Sequence, residues 1–126
     1  MRVTFPFPPK ELSPNSRLHW AKRAKATKAY RQECMVIARN AGLRVDWDGE
    51  IHLWVTFFRP SRRRYDDDGL FSRFKAGRDG VADALGIDDN RFRYRPYLHD
   101  EVRPGGEVVV ALTPGTCQQA DDAGPA

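Results

Sequence analysis

Three consecutive carboxylates, Asp66, Asp67 and Asp68, stand where a β-prone stretch of the sequence gives way to a helical one. Adjacent like charges repel, so the run needs a compensating reason. Acidic side chains stabilise a helix N-terminus by about 0.3–1 kcal/mol each, which accounts for one or two of the three. A hard cation accounts for the rest. Mg2+ prefers oxygen ligands and takes one or two carboxylates together with waters and phosphate oxygens. Side chains two apart in an extended segment point the same way. Asp66 and Asp68 are therefore predicted to converge on one ion, while Asp67 points elsewhere.

The residues that follow extend this chemistry. If one helix runs from about Gly69 to Leu85, Lys75 and Asp79 fall seven and eleven residues beyond Asp68, on its face. There the lysine ammonium would offset charge on a phosphate or a leaving oxygen. The plainer alternative is a solvated i,i+4 ion pair between Lys75 and Asp79. Asp88 and Asp89 form a second acidic pair after Gly86. An Asp-Asp-Asn turn is commonly structural, but this one opens a strand. If that strand lies beside residues 51–58, the start of one would approach the end of the other, and Asp89 would join Asp66 and Asp68. Arg62, Arg63 and Arg64 immediately precede the carboxylates. Alone they read as a solvated surface; beside an acidic cluster they read as a phosphate clamp, since guanidinium binds phosphate oxygens in bidentate fashion. His19, His52 and His99 are scattered and give no zinc pattern. The chain also lacks a glycine-rich phosphate loop and a nucleophile elbow.

These groups need elements to hold them. Residues 2–7 alternate as a short strand. Residues 10–16 read as a loop, and Arg17 to about Ala41 is a long helix or two stacked ones, ended by Gly42. Tyr30, Cys34, Ile37 and Ala41 share its inner face, whereas Lys22, Lys25, Lys28 and Arg31 form a basic outer stripe. Ile51–Phe58 is apolar on most of both faces and reads as a central strand. Arg91 to Val102 alternates basic and aromatic residues, with Pro96 suggesting an edge or a bulge. Pro104-Gly105-Gly106 reads as a hairpin turn into a last strand, Glu107 to Leu112. The order β-α-β-α-β-β implies one mixed sheet packed with helices, an α/β or α+β fold in one domain over 1–113, with a disordered tail over 114–126.

Charge is unevenly spread along the 126 residues. Residues 1–45 carry 10 basic and 2 acidic side chains, whereas residues 46–126 carry 11 and 15. A basic front and an acid-rich back suit a polyanion clamp around a cation site. Cys34 and Cys117 show neither metal-ligand spacing nor a disulfide framework. No apolar run approaches the roughly 20 residues that span a membrane, and the N-terminus lacks the apolar stretch of a signal peptide. A cytoplasmic location and no membrane partner are the resulting expectations.

Taken in order, Arg62-Arg63-Arg64-Tyr65-Asp66-Asp67-Asp68-Gly69, Lys75, Asp79 and Gly86-Ile87-Asp88-Asp89 resemble the signature of the RusA family of Holliday-junction resolvases. Pro8-Pro9, Ser13-Pro14-Asn15 and the basic segment from His19 to Arg31 resemble phage-borne members, and the likeness runs from about residue 5 to 112. The resemblance implies a RusA-like fold and a homodimer acting on branched DNA, above all four-way junctions. It implies paired, symmetric cuts made with Mg2+ (or Mn2+) in recombination and repair, in a bacterial host cell. It assigns Asp66, Asp68 and Asp89 as catalytic, metal-binding carboxylates and Lys75 as the essential lysine. Arg62–Arg64 with Lys22, Lys25 and Lys28 would hold the DNA, and Asp67, Asp79 and Asp88 would support the site. Two departures stand out: Gly69 replaces the family's usual Asn, and Lys75 lies seven rather than four residues from its aspartate. Rival readings are a nuclease for flaps or forks, a non-catalytic junction-binding protein, and a basic protein for acidic partners.

Overall fold

A computed structural model describes residues 1–13, 19–65 and 67–115. Its core is a four-stranded mixed sheet in the order β1-β4-β2-β3, formed by β1 (Arg2–Pro6), β2 (Ile51–Phe58), β3 (Phe92–His99) and β4 (Glu107–Pro114). Strand β2 is buried along its whole length and lies between β4 and β3, as its two-sided apolar pattern predicts. Strand β3 is an edge strand. Pro96 pairs across from Val55 there, where the missing N–H leaves no inner ladder unfilled.

Helix α1 (Trp20–Asn40) is capped at its start by His19, and the predicted Gly42 follows its end with φ of 74°. The predicted beginning at Arg17 lies outside the described residues. The buried stripe is Tyr30, Cys34 and Ala38, with Ile37 half-buried and Ala41 exposed. Ala41 drops off the predicted face because the chain has already turned; the Leu43 N–H returns to the Ala38 carbonyl at 3.1 Å.

The predicted second helix is two helices, α2 (Asp67–Arg73) and α3 (Lys75–Leu85), broken at Phe74. Phe74 leaves the helical backbone region (φ −86°, ψ 8°), and its N–H reaches only the Phe71 carbonyl, at 3.3 Å. Its ring is fully buried and makes edge contacts with Phe5, Tyr30 and Phe57 at centroid separations of 6.2, 6.2 and 5.9 Å. Packing that ring sets the break. The break also removes the single-helix face on which Lys75 was placed relative to Asp68: Lys75 is instead the first residue of a separate helix.

The predicted hairpin between the last two strands is not formed. Pro104-Gly105-Gly106 does turn the chain, with φ of 79° and 73° at the glycines, but β4 crosses to the far side of β2 and pairs with β2 and β1. The side chains explain this. Val108, Val110 and Ala111 are buried and suit an inner strand, whereas Arg93, Arg95 and Tyr97 are exposed and suit an edge. Strand β3 lies beside β2 in parallel, with Ile51 opposite Phe92 and Phe58 opposite His99. The starts of the two strands therefore coincide, rather than the start of one meeting the end of the other.

One face of the sheet, with Val3, Phe5, Ile51, Leu53, Val55, Phe57, Phe92, Val108 and Val110, joins the helices in a single apolar cluster. Among the described residues no helix is long and apolar enough to cross a membrane. Helices α1 and α3 meet through Gly80, where an added Cβ would overlap the Arg31 carbonyl oxygen and press on the Cys34 Cβ at 3.0 Å. Gly80→Ala is accordingly expected to destabilise the fold by about 1–3 kcal/mol, read as a lower urea midpoint with an unchanged slope. A wild-type midpoint would mean that the helices do not approach this closely.

Candidate active site and nucleic-acid interface

The carboxylates predicted to act together fall into two places. Asp67 and Asp68 form the first turn of α2, where negative charge suits the exposed N–H groups. Both are exposed, and with Arg64 and Tyr65 they line an open concavity of about 730 Å3. Tyr65 is anchored by an edge contact with Phe7 at 5.9 Å. Asp66 lies outside the described residues. Arg62, Arg63 and Arg64 are exposed, and no ion pair engages them among the described residues.

The second place is a smaller concavity of about 330 Å3, lined by Lys75, Asp79, Asp89, Arg31 and Asp83 among others. Lys75 Nζ donates to Asp79 Oδ1 at 2.9 Å and to Asp89 Oδ2 at 3.2 Å. The plainer i,i+4 pair is therefore present, and Asp89, fourteen residues further on, completes it. Position explains the partnership. A cation at a helix N-terminus opposes the helix dipole, and α3 has no acidic residue in its first turn. The two carboxylates supply the missing negative charge. The hydrogen bonds to Asp79 and then Asp89 raise the Lys75 pKa, and the Lys75 hydrogen bond holds the Asp89 carboxyl below its usual range. Asp88 serves the backbone instead. Its Oδ1 accepts from the Asn90 N–H at 2.9 Å and caps the 3-10 turn over Asp89–Arg91. That turn is fastened beside the start of β2 by Arg91, which donates to the carbonyls of Gly49 at 2.8 Å and Trp47 at 2.9 Å.

Among the described residues no three His, Cys, Asp or Glu side chains gather into a group that could hold a metal. The donors fit a hard cation in kind, since Mg2+ requires only one or two carboxylates from a protein. Asp67 and Asp68 are carboxylates of this sort, exposed beside Arg64.

Lys22, Lys25 and Lys28 lie on α1 and no ion pair engages them among the described residues. Arg31, the last of the predicted basic stripe, differs. Its Nε and Nη2 donate to Asp83 Oδ2 and Oδ1 at 2.7 and 2.9 Å, a bidentate bridge that joins α1 to α3. This pairing raises the Arg31 pKa and lowers that of Asp83. No local signal could reveal a partner 52 residues away. Burial pushes the Cys34 thiol up to about 12, which leaves it un-ionised in the core. Cys117 lies outside the described residues.

The directions of these shifts give a pH window. Asp89 is lowered, so its pairing holds above the ordinary carboxylate range and is lost as pH falls through its depressed pKa. Lys75 is raised, so its contribution is lost only as pH climbs past the usual lysine range. Lys75→Met is expected to move the Asp89 titration upward, towards the ordinary aspartate value, in carbon-detected NMR. An unmoved midpoint would break the assignment of Lys75 as the partner that keeps Asp89 ionised.

No family model matches the chain. It is 49% identical, over 126 aligned positions, to an uncharacterized protein of Xylella fastidiosa strain Temecula1, with 98% of this chain and 82% of the relative covered. At that identity and coverage, the chain belongs to the same family as the Xylella fastidiosa protein.

Proposed function

We propose that this chain is a Mg2+-dependent endonuclease for branched DNA that acts as a homodimer, in line with its resemblance to RusA-type junction resolvases. The observation that carries the reading is the meeting of Lys75 with Asp89 at 3.2 Å, beside Asp79, on an exposed surface. These are the lysine and one of the aspartates that the resemblance marks as catalytic, and they come together from different elements. The exposed arginines at 62–64 and the lysines at 22, 25 and 28 supply cations for phosphate contacts.

In this reading Asp66, Asp68 and Asp89 supply the carboxylates for Mg2+ or Mn2+, and the bound ion would activate a water for attack on a phosphodiester. Lys75 lowers the Asp89 pKa and keeps a positive charge beside it. Arg64, which shares a concavity with Asp68, would donate to a phosphate oxygen. Because Asp68 and Asp89 line separate concavities, the reading separates into two measurable parts, metal binding at the Asp66–Asp68 run and metal binding at Asp89. A second reading, a junction-binding protein without cleavage, is favoured by Gly69, which stands where the family's usual Asn would.

The deciding assay is cleavage of a labelled mobile four-way junction, with and without Mg2+, beside a linear duplex of the same sequence. Paired Mg2+-dependent nicks confined to the junction are the expected result. Binding without nicks would establish the second reading, and fork or flap substrates cut in preference would change the substrate within the first.

Asp89→Asn is expected to lower cleavage by at least about a hundredfold while junction affinity stays near wild type. Wild-type cutting by that variant would remove Asp89 from the site. A Mn2+ titration of Asp68→Asn and Asp89→Asn, followed by paramagnetic broadening, tells whether each carboxylate holds the ion.

A further inference from the structure

Trp20, the first residue of α1, is 75% exposed. Its indole is open to solvent and available to a partner. The His19 ring lies 5.6 Å from it, tilted by 31°, and is held in place because its Nδ1 accepts the Ala21 N–H at 3.2 Å. Trp20, Arg23, Ala24, Thr27 and Lys28 follow one another at helical spacing and line a shallow groove of about 440 Å3 that ends at Arg31. The groove continues the line of the buried stripe of Tyr30, Cys34 and Ala38 towards the start of the helix, where Trp20, Ala24, Thr27 and Lys28 stand exposed. Thr27 turns its hydroxyl back to the Arg23 carbonyl at 2.8 Å.

Charge identifies the occupant. The first three turns of α1 hold Lys22, Arg23, Lys25 and Lys28, and no acidic residue occurs in the helix before Glu33. Arg31, at the far end of the groove, is committed to Asp83. An open indole edged by uncompensated cations matches a polyanion that carries flat π faces, which is a nucleic-acid strand. The faces of bases inside a duplex are covered by their neighbours, so only an unpaired base offers a face to Trp20.

We propose that this face of α1 binds unpaired nucleotides of DNA, with one base stacked on Trp20 and the flanking phosphates held by Arg23 and Lys28. The site would direct the protein to strand openings at a branch. The proposal rests on the DNA-binding half of the function proposed above and not on cleavage.

Fluorescence anisotropy of labelled oligo-dT and of a fully paired duplex, at one salt concentration, tests it with the full chain and with Trp20→Ala and Trp20→Phe. Trp20→Ala is expected to weaken oligo-dT binding on the order of 10- to 100-fold and leave duplex binding within about twofold, with Trp20→Phe retaining most of the affinity. Quenching of tryptophan emission by oligo-dT in the wild type should vanish in Trp20→Ala. Because the side chain is exposed, thermal melting should be unchanged and confirm that the variants fold. Equal losses for oligo-dT and duplex would reduce the site to general charge attraction and overturn the proposal. So would unchanged oligo-dT binding, which would make Trp20 a contact for another protein while leaving the proposed function standing. Failure of the wild-type protein to bind any of these DNAs would sink both readings together.

Discussion

Burial of the Phe74 ring organises this molecule. It sits fully enclosed against Phe5 of β1, Tyr30 of α1 and Phe57 of β2, so one side chain ties three elements to the junction of α2 and α3. The backbone leaves the helical region at this residue, and the chain breaks there. Gly77 lies beneath the ring, where a Cβ would overlap it, and Gly80 lets α3 close on the backbone of α1. The helix that carries Lys75 and Asp79 is therefore positioned by close packing, to which the Arg31–Asp83 bridge adds a polar tie. Tyr30 adds a polar tie to the same point, its hydroxyl donating to the Pro6 carbonyl at 2.6 Å.

Electrostatics then works on a frame already set. Lys75 begins α3, where the helix dipole disfavours a cation, and Asp79 and Asp89 offset that cost. Asp89 is brought within reach by its 3-10 turn, which Asp88 caps and Arg91 fastens to the loop before β2. Arg31 and Asp83 close the gap between α1 and α3 beside the same concavity. Among the described residues, the exposed cations at Arg62–Arg64 and at Lys22, Lys25 and Lys28 of α1 enter no such ion pair and face solvent.

The reverse face of the sheet takes no part in the helix-covered cluster, yet Trp54, Thr56 and Phe58 are buried there. The sheet shields them with its own side chains. His52 stacks on Trp54 at 5.8 Å, Trp54 Nε1 donates to Thr113 Oγ1 at 2.8 Å, and the Arg103 guanidinium lies 3.6 Å from the Phe58 ring centroid. Arg103 is itself held by Glu101 and Glu107. Such dressing lets a two-sided apolar strand sit at the centre of a sheet whose helices cover only one side.

Local chemistry alone determined much of this protein. Alternation and two-sided apolarity marked β2 as central, Pro96 marked β3 as an edge or a bulge, Gly42 ended α1, and spacing paired Lys75 with Asp79. What depends on neighbours far along the chain was decided only by the fold. The break at Phe74 reflects a ring packed by three other elements, so no propensity within residues 69–85 reveals it. The crossing of β4 over β2 reflects which strand is apolar on both faces, a comparison of whole strands that a Pro-Gly-Gly turn does not contain. The parallel register of β2 and β3 sets Asp89 beside the start of β2 and within reach of Lys75, because a strand's direction in a sheet is set by the crossover that returns it and not by its own residues. The types of chemical group were legible in the order of the residues; their partners followed from tertiary packing.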